Sequence, residues 1–200
     1  EIEDFLWDLH KDKGYHRVWT PHIGKQALYE TSGHAAKFGD ELFRVKGKEE
    51  EFIMKPMNCP HHMQIFSDNY FSYRDMPVRY FEPATIYRDE LSGTLSGLTR
   101  VRSITQDDGH LFCRVEQIKD EVTTISQIIK QFYDTFDMTQ NYWVSLSVRD
   151  PNSPQDYLGG EEVWEKAESG LEETAQEMGL PYKKVEGEAA FYGPKLDFMF

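Results

Sequence analysis

Five arginines and no lysine lie between Arg74 and Arg102, in a chain of 200 residues whose formal net charge is −13. An arginine side chain stays charged, and its planar fork pairs bidentately with phosphate or carboxylate. Positive groups placed in this stretch of an otherwise acidic chain indicate a pocket for a small anion, rather than a surface that wraps nucleic acid. The same residues also fit a solvated hairpin with charges of both signs, because charged surface residues are common.

A second group of residues has the side chains that bind transition metals. Cys59 stands directly before a Pro-His-His tripeptide at a predicted helix start, and His110 follows 51 residues later. A thiolate and an imidazole suit zinc, although no CxxC or HExxH spacing accompanies them. A buried cysteine with a structural histidine, or a Cys/His nucleophile pair, fits the same residues. Asp107 and Asp108 are adjacent on a predicted strand, so they should face opposite sides and not form a paired-carboxylate acid–base site.

Hydrophobic periodicity and turn residues predict the elements that must position these side chains. The predicted elements are a helix at 2–9, a strand at 15–20, a short helix with loops at 22–40, a hairpin at 42–55, a helix from Asn58 or Cys59 that carries residues to Phe71, strands at 78–87 and 100–107, a helix at 115–136, a half-buried strand at 142–148, a helix at 161–178, and strands at 182–187 and 189–200. Because the strands come as hairpins with helices between them, the predicted fold class is α+β with a mostly antiparallel sheet.

Composition narrows the class of protein further. Thirteen Phe, eleven Tyr and four Trp can fill a sizeable core, and no apolar run approaches the ~20 residues of a membrane helix. Two cysteines do not make a disulfide framework, which favours a reducing, intracellular setting. From Asp150 onward, twelve Asp and Glu face four Lys, so any RNA contact should be local or supplied by other domains. The chain starts within a helix pattern and ends within a strand pattern, which predicts a fragment.

Taken together, several motifs resemble those of the threonyl-tRNA synthetase family. They are Lys55-Pro56-Met57-Asn58-Cys59-Pro60, Tyr87-Arg88-Asp89-Glu90, Arg100-Val101-Arg102, Thr105-Gln106-Asp107-Asp108-Gly109-His110 and Phe191-Tyr192-Gly193-Pro194-Lys195. Residues 14–21 resemble motif 1 of class II synthetases, and residues 79–108 resemble motif 2. The motif 2 arginine is generic to the class. The combination of Cys59 and His110 with Gln106-Asp107-Asp108 is specific to the threonine enzymes.

The resemblance implies a class II synthetase-like antiparallel sheet flanked by helices. It implies an enzyme that activates threonine with ATP and Mg²⁺ and transfers it to tRNA(Thr) in the cytoplasm, without a membrane partner. Residues 1–200 would be part of the catalytic (aminoacylation) domain, with motif 3 and the editing and anticodon-binding regions outside it. The parent enzyme would dimerise through motif 1, and this segment alone would be inactive.

The resemblance also implies roles around ATP. Arg88 would bridge the α-phosphate and the threonine carboxylate, Glu90 would bind the adenine amino group, and Arg100 would bind the ATP phosphates. Lys195 matches a catalytic residue beside the adenylate. His34 matches the candidate base for transfer to tRNA.

Around threonine, the resemblance implies a zinc ion held by Cys59, His110 and a third protein ligand beyond Phe200. Asp108 would accept the hydrogen of the substrate hydroxyl, with Gln106 and Tyr192 nearby. A site built to engage a hydroxyl rejects valine, which lacks one, by up to ~10⁴–10⁵. Serine keeps the hydroxyl, so the resemblance also implies a separate editing function.

Two positions depart from the family pattern, and rival functions remain open. Ile104 stands where many relatives have an adenine-stacking Phe, and His61 stands where Gly is usual. A class II ligase of the serine or proline type is one alternative. A non-catalytic synthetase-like binding or regulatory module is another, and an unrelated α+β domain is a third.

Overall fold

The computed structural model describes residues 1–199, which divide into two compact units, Glu1–Phe112 and a second unit that starts at Cys113. The first unit contains helices α1 (Ile2–Lys11), α2 (Gln26–Thr31), α3 (His34–Phe38) and α4 (Cys59–Ser67), and strands β1 (Tyr15–Arg17), β2 (Ile23–Lys25), β3 (Arg44–Lys46), β4 (Glu51–Met54), β5 (Val78–Tyr87) and β6 (Ser103–Phe112). The second contains α5 (Ile118–Thr135), α6 (Glu161–Glu177), β7 (Trp143–Val148), β8 (Tyr182–Glu186) and β9 (Lys195–Met199).

Two three-stranded sheets organise the first unit. One has the order β1-β5-β6, with β1 parallel and β6 antiparallel to the central strand. The other has the order β2-β4-β3 and is antiparallel, which confirms the predicted hairpin. The backbone N–H of Tyr87 donates to the carbonyl of Lys55 at 2.9 Å and so ties the end of β5 to the segment after β4.

The register of β5 and β6 decides which side chains share a face. Tyr80 lies opposite His110, and Glu82 lies opposite Asp108. Cross-strand partners face the same side of a sheet, and alternate residues do so along each strand. All four side chains therefore lie on one face, while Asp107 lies on the other, where its carboxylate is 3.8 Å from His10 Nε2. This confirms the prediction that the side chains of Asp107 and Asp108 face opposite sides of the sheet.

Buried apolar residues pack the helices of the first unit against its two sheets. Phe81 is fully buried, and His10 of α1 stacks on its ring at 4.4 Å, so the amphipathic helix covers the face opposite the site. A second cluster packs α2 and α3 against β4 and consists of Tyr29, Phe38, Leu42 and Ile53. This cluster positions α3 close to the end of β5.

The second unit is a sheet of order β8-β7-β9, covered by α6, with β8 parallel and β9 antiparallel to β7. The prediction of a half-buried β7 is wrong, because Ser145 and Ser147 are buried as well as the apolar residues that alternate with them. A central strand is covered on both faces, and the Ser147 hydroxyl donates to Asp197 Oδ2 at 2.9 Å.

Several boundaries differ from the predicted ones for local reasons. Helix α4 ends at Ser67, before the predicted Phe71, because the Asn69 side chain bonds the carbonyl of Ile65 at 2.7 Å. Strand β6 begins at Ser103 rather than Arg100, since Arg100 pairs with Ser96 inside the loop. Strand β9 begins at Lys195, after a turn at 190–193, and not at 189.

Four of the six strand pairings in residues 1–199 are antiparallel, as the predicted fold class requires. Within the same residues, every helix falls short of the length and apolar character needed to cross a lipid bilayer.

Candidate active site

Arg88 follows β5 directly, and its guanidinium is half-buried against apolar neighbours. Its carbon Cζ lies 4.9 Å from the centre of the Phe38 ring, and Nη2 lies 3.3 Å from the sulfur of Met57. The Nε–H group is buried and has no hydrogen-bond partner within residues 1–199. A thioether is a weak acceptor. The guanidinium is therefore packed between apolar neighbours, and at least one of its donors is unpaired among the described residues.

Glu90 and Arg100 lie at the two ends of the loop that joins β5 to β6, and they pair with each other. Arg100 Nε and Nη2 lie 3.1 and 2.8 Å from Glu90 Oε2. Arg102 Nε donates to the Glu90 carbonyl at 2.9 Å. The hydrogen bond from Arg100 lowers the pKa of the Glu90 carboxyl. Glu90 is predicted to bind the adenine amino group of ATP, and Arg100 is predicted to bind its phosphates. If ATP binds in this way, both residues must leave their ion pair and contact the nucleotide instead.

A cavity of about 120 Å³ joins these residues to the adjoining face of β6. Its lining includes Arg88, Glu90, Arg100, Ile104 and Gln106. Ile104 is 43% exposed and presents an apolar surface beside the charged groups. The structure thus brings together all three predicted ATP-binding residues and one predicted threonine-binding residue.

Beneath this surface, Glu82 accepts hydrogen bonds from four buried residues. Lys55 Nζ lies 3.1 Å from Oε1, while Asn58 Nδ2 and His62 Nε2 lie 3.1 and 3.0 Å from Oε2. The backbone N–H of Thr20 donates to Oε1 at 3.0 Å. Burial favours the neutral acid, but the hydrogen bonds from His62 and Thr20, together with the charge of Lys55, lower the pKa of Glu82 to about 2.

The negative charge of the Asp108 carboxylate favours the protonated forms of both Cys59 and His110. Cys59 opens α4, with Pro60 in the first turn as predicted. Burial, reinforced by the Asp108 carboxylate, raises the pKa of the Cys59 thiol to about 11. His110 Nδ1 lies 3.5 Å from Asp108 Oδ1, and burial lowers the pKa of this imidazole against the opposing effect of that carboxylate.

His110 also makes a direct contact with α4, since its Nδ1 lies 2.9 Å from His62 Nδ1. His34, at the start of α3, adds to the effect of burial and lowers the pKa of His110 through its charge. The His34 ring also stacks on the Phe38 ring, with 6.2 Å between the ring centres. Burial lowers the pKa of His34, whose Nδ1 lies 3.0 Å from the Ser32 hydroxyl. A neutral imidazole is the form that can accept a proton, so the environment of His34 suits the predicted base.

The donors around Asp108 fit part of a zinc site. Cys59 has a sulfur and His110 an imidazole, both of which are zinc ligand types, and Asp108 Oδ2 is buried with no hydrogen-bond partner among residues 1–199. Among residues 1–199, no three His, Cys, Asp or Glu side chains are grouped so as to hold a metal ion. The donor atoms of Cys59 and His110 are of types that bind zinc. That both bind one zinc ion, with a third ligand beyond Phe200, stays a prediction.

Tyr192 and Lys195 belong to the second unit, so their grouping with Arg88 stays a prediction. Lys195 Nζ lies 2.9 Å from Asp197 Oδ2 at the start of β9. Tyr192 is 63% exposed and meets the edge of the Phe191 ring at 5.0 Å. Both side chains are thus placed on or beside the β9 end of the sheet.

The sequence motifs gave no role to three residues that support the site from below, namely Lys55, His62 and Glu82. One signal was present in the sequence: Glu82 is the one carboxylate of the predicted strand 78–87, flanked by Phe81 and Pro83. A charge in such a position is buried only with a partner. The partner itself lies 27 residues away, at Lys55, and no local pattern reveals it.

Residues 43–200 match the family described as tRNA synthetase class II core domain (G, H, P, S and T). A threonine–tRNA ligase from Porphyromonas gingivalis is 51% identical over 201 residues, which cover 99% of this chain and 31% of that protein. One from Haloarcula marismortui is 46% identical over 200 residues, which cover 100% of this chain and 30% of that protein. The chain thus spans about a third of these curated relatives.

A solved structure shows the same similarity in three dimensions. It is the RNA binding domain of threonyl-tRNA synthetase from Cryptosporidium parvum Iowa II, which superposes with a TM-score of 0.90 at 36% sequence identity. The match covers 98% of this chain and 48% of that one.

Proposed function

The chain belongs to the class II tRNA synthetase core domain family, and on that premise we propose that it forms the threonine-activating part of a threonine–tRNA ligase. Residues 1–200 then carry motifs 1 and 2 of the catalytic domain. The polypeptide that contains them uses ATP with Mg²⁺ to make threonyl-adenylate and transfers threonine to tRNA(Thr). The observation that carries the proposal is the fixed, incompletely bonded guanidinium of Arg88 in the cavity that Glu90, Arg100 and Gln106 also line.

In the first step, the threonine carboxylate attacks the α-phosphate of ATP and pyrophosphate leaves. Two anions must approach each other, so the site has to neutralise charge and align the reacting atoms more than it has to move a proton. Arg88 bridges both anions through its two-pronged donor geometry. Phe38 packs against its guanidinium and the Met57 sulfur contacts Nη2, and neither is a strong acceptor that would compete with the substrates.

Nucleotide binding opens the Glu90–Arg100 ion pair. Glu90 then accepts a hydrogen bond from the adenine amino group, and Arg100 turns to the phosphates. Ile104 covers the base with an apolar surface, without the ring stacking that an aromatic residue would add. Keeping both charges paired before ATP arrives avoids leaving a buried carboxylate without a partner.

Threonine is selected beside Asp108. Cys59 and His110 would hold a zinc ion together with a ligand outside the described residues, and the ion would supply a Lewis acid that distinguishes a substrate hydroxyl from a methyl group. Asp108 accepts the hydrogen of that hydroxyl through Oδ2, the oxygen that has no hydrogen-bond partner within residues 1–199. Gln106, on the same face of β6, contacts the substrate from the neighbouring position. Because the described residues supply two ligands, the 200-residue segment alone should bind zinc weakly and remain inactive.

The remaining assignments complete the reaction. Lys195 stabilises the adenylate, Tyr192 contacts threonine, and His34 is the base for transfer to the tRNA ribose. The protein works as a cytoplasmic homodimer that pairs through motif 1.

The test is threonine-dependent exchange of pyrophosphate into ATP, measured on the full-length polypeptide that contains this chain. We expect exchange with threonine, weak exchange with serine and almost none with valine, and we expect bound zinc. Exchange that responds to serine or proline but not to threonine would assign the chain to another class II ligase. Absence of exchange with every amino acid, in folded protein with bound zinc, would indicate a non-catalytic module.

A further inference from the structure

A chain of two hydrogen bonds, one buried and one partly buried, connects Glu82 to His110 through His62. Glu82 Oε2 lies 3.0 Å from His62 Nε2, and His62 Nδ1 lies 2.9 Å from His110 Nδ1. Glu82 is 2% exposed and His62 is 0% exposed, so water is excluded from the contact between them. In a hydrogen bond between two ring nitrogens, one nitrogen must carry the proton and the other must accept it.

The carboxylate at one end fixes the direction of the chain. An ionised carboxylate only accepts hydrogen bonds, so His62 Nε2 must carry the proton that points at Glu82. In neutral His62 the other nitrogen, Nδ1, then has a lone pair and must accept. His110 Nδ1 is therefore the donor of the second bond. The remaining nitrogen of His110, Nε2, is left with a lone pair.

The Glu82 carboxylate has a cationic partner besides its contact with His62. Lys55, which is 1% exposed, already supplies a positive charge to this carboxylate at 3.1 Å. His62 therefore supplies this carboxylate with a hydrogen-bond donor, while Lys55 supplies the balancing charge. Asp108 favours the proton on His110 Nδ1, because its Oδ1 lies 3.5 Å from that nitrogen.

We propose that Glu82 and His62 are positioning residues that hold His110 as its Nδ1–H tautomer, so that Nε2 is the nitrogen presented to the metal. The inference rests on the proposed function for the identity of the metal, and it deepens that function by assigning a task to two residues that touch neither substrate nor zinc. A metal ligand needs an unprotonated nitrogen, and a fixed hydrogen bond on the other nitrogen orients the ring.

The first test reads the tautomer directly in zinc-free, full-length protein labelled with ¹⁵N-histidine. At about pH 8, above the usual imidazole pKa of about 6.5, two-bond ¹H–¹⁵N correlations distinguish Nδ1–H from Nε2–H rings. We expect His110 as Nδ1–H and His62 as Nε2–H. A His110 ring protonated on Nε2 would overturn the proposal, whatever the enzyme's activity.

The second test compares three variants by zinc affinity, measured in competition with a chromophoric chelator. His62→Leu removes both hydrogen bonds and should lower zinc affinity about 10–100-fold. His62→Gln should stay close to wild type, because the amide NH₂ can donate to Glu82 while its oxygen accepts from His110. His61→Leu is the matched control. His61 is the next residue of α4 and is also buried, but its Nδ1 has no hydrogen-bond partner in residues 1–199.

The outcomes separate positioning from simple packing. Equal loss of zinc affinity in His61→Leu and His62→Leu, or equal loss in His62→Gln and His62→Leu, would overturn the proposal. If His62→Leu does not fold, His62→Gln and the wild-type tautomer still decide the question. Failure of the proposed function is visible separately, as zinc-loaded wild-type protein that shows the expected tautomer but no threonine-dependent exchange.

Discussion

The two units of the chain bury different kinds of side chain. In the first, Lys55, Asn58, His62 and Glu82 are almost completely inaccessible and bond one another. In the second, the sheet and its covering helix bury Val144, Leu146, Val148, Leu171 and Ala175, and most of the buried polar groups are hydroxyls, apart from Glu121. The charged pair between Arg149 and Glu168 in that unit retains partial access to water.

The buried charged groups distinguish the first unit, which contains the candidate site, from the second unit, whose core is mainly structural. Burial of an ion pair costs several kcal/mol per ion in lost hydration, which attraction between the charges often fails to exceed. A purely structural sheet gains more from apolar residues of the same volume. The first unit nevertheless retains its buried charges, and they lie directly beneath the residues assigned to threonine and zinc. We infer that the first unit accepts a loss of stability in order to orient His110.

The largest predicted effect is on the stability of the first unit when one buried charge loses its partner. Glu82→Leu leaves Lys55 buried beside no carboxylate and should destabilise the first unit by about 3–5 kcal/mol. Native-state hydrogen exchange of the β5 and β6 amides measures this, with the β7 amides as an internal comparison. The double variant Glu82→Leu, Lys55→Met should recover much of the loss, since replacing a whole buried pair by apolar groups is often neutral. A double variant as unstable as Glu82→Leu would contradict the ion-pair account.

The next effect concerns activity rather than stability. Arg88→Ala removes the guanidinium that bridges the two reacting anions and should lower the rate of threonine-dependent exchange by about 10²–10³, or roughly 3–4 kcal/mol of transition-state stabilisation. Hydrogen exchange in β5 and β6 should change little. The matched control is Arg114→Ala in the second unit, where the arginine pairs with exposed Glu116 and no site role is assigned. Equal losses of exchange in the two variants would remove Arg88 from the mechanism.

Local features of the fold were accessible from sequence, because periodicity and turn residues act within a few positions. Helix α1, the β3–β4 hairpin and helix α6 follow from such patterns and are confirmed. The buried contacts of Glu82 could not be predicted in the same way. Its partners Thr20 and Lys55 precede it by 62 and 27 residues, and only the completed sheet brings them together.

The prediction for β7 failed for a related reason. Alternating hydroxyl and apolar residues are typical of a strand with one wet face, yet a central strand can be covered on both sides. Ser147 compensates for its burial by bonding Asp197, which is 50 residues away. The site residues Cys59 and His110 came from a family resemblance, since their spacing alone matches no metal motif.

A third prediction uses the titration of Glu82. Its pKa is about 2 in the folded protein, below the ordinary value of 4.5, so it stabilises the folded form fully above about pH 5. That contribution, about 3 kcal/mol from the size of the shift, is lost progressively as the pH falls from about 5 towards 2. Hydrogen exchange of the β5–β6 amides across this range should show the loss in wild type and a weaker pH dependence in Glu82→Gln. Identical pH dependence in both proteins would assign the acid sensitivity to other carboxyl groups.

The smallest predicted effect comes from the corresponding pair in the second unit. Arg149 contacts Glu168 through Nε at 3.1 Å and Nη2 at 3.3 Å, in a geometry that favours a strong pair, but about a sixth of each side chain is still exposed. Water competes for both charges, so a double-mutant cycle with Arg149→Met and Glu168→Gln should give a coupling free energy of only about 1 kcal/mol. The coupling should also weaken as salt is added. A coupling as large as that between Lys55 and Glu82 would mean that depth of burial is not what distinguishes the two units.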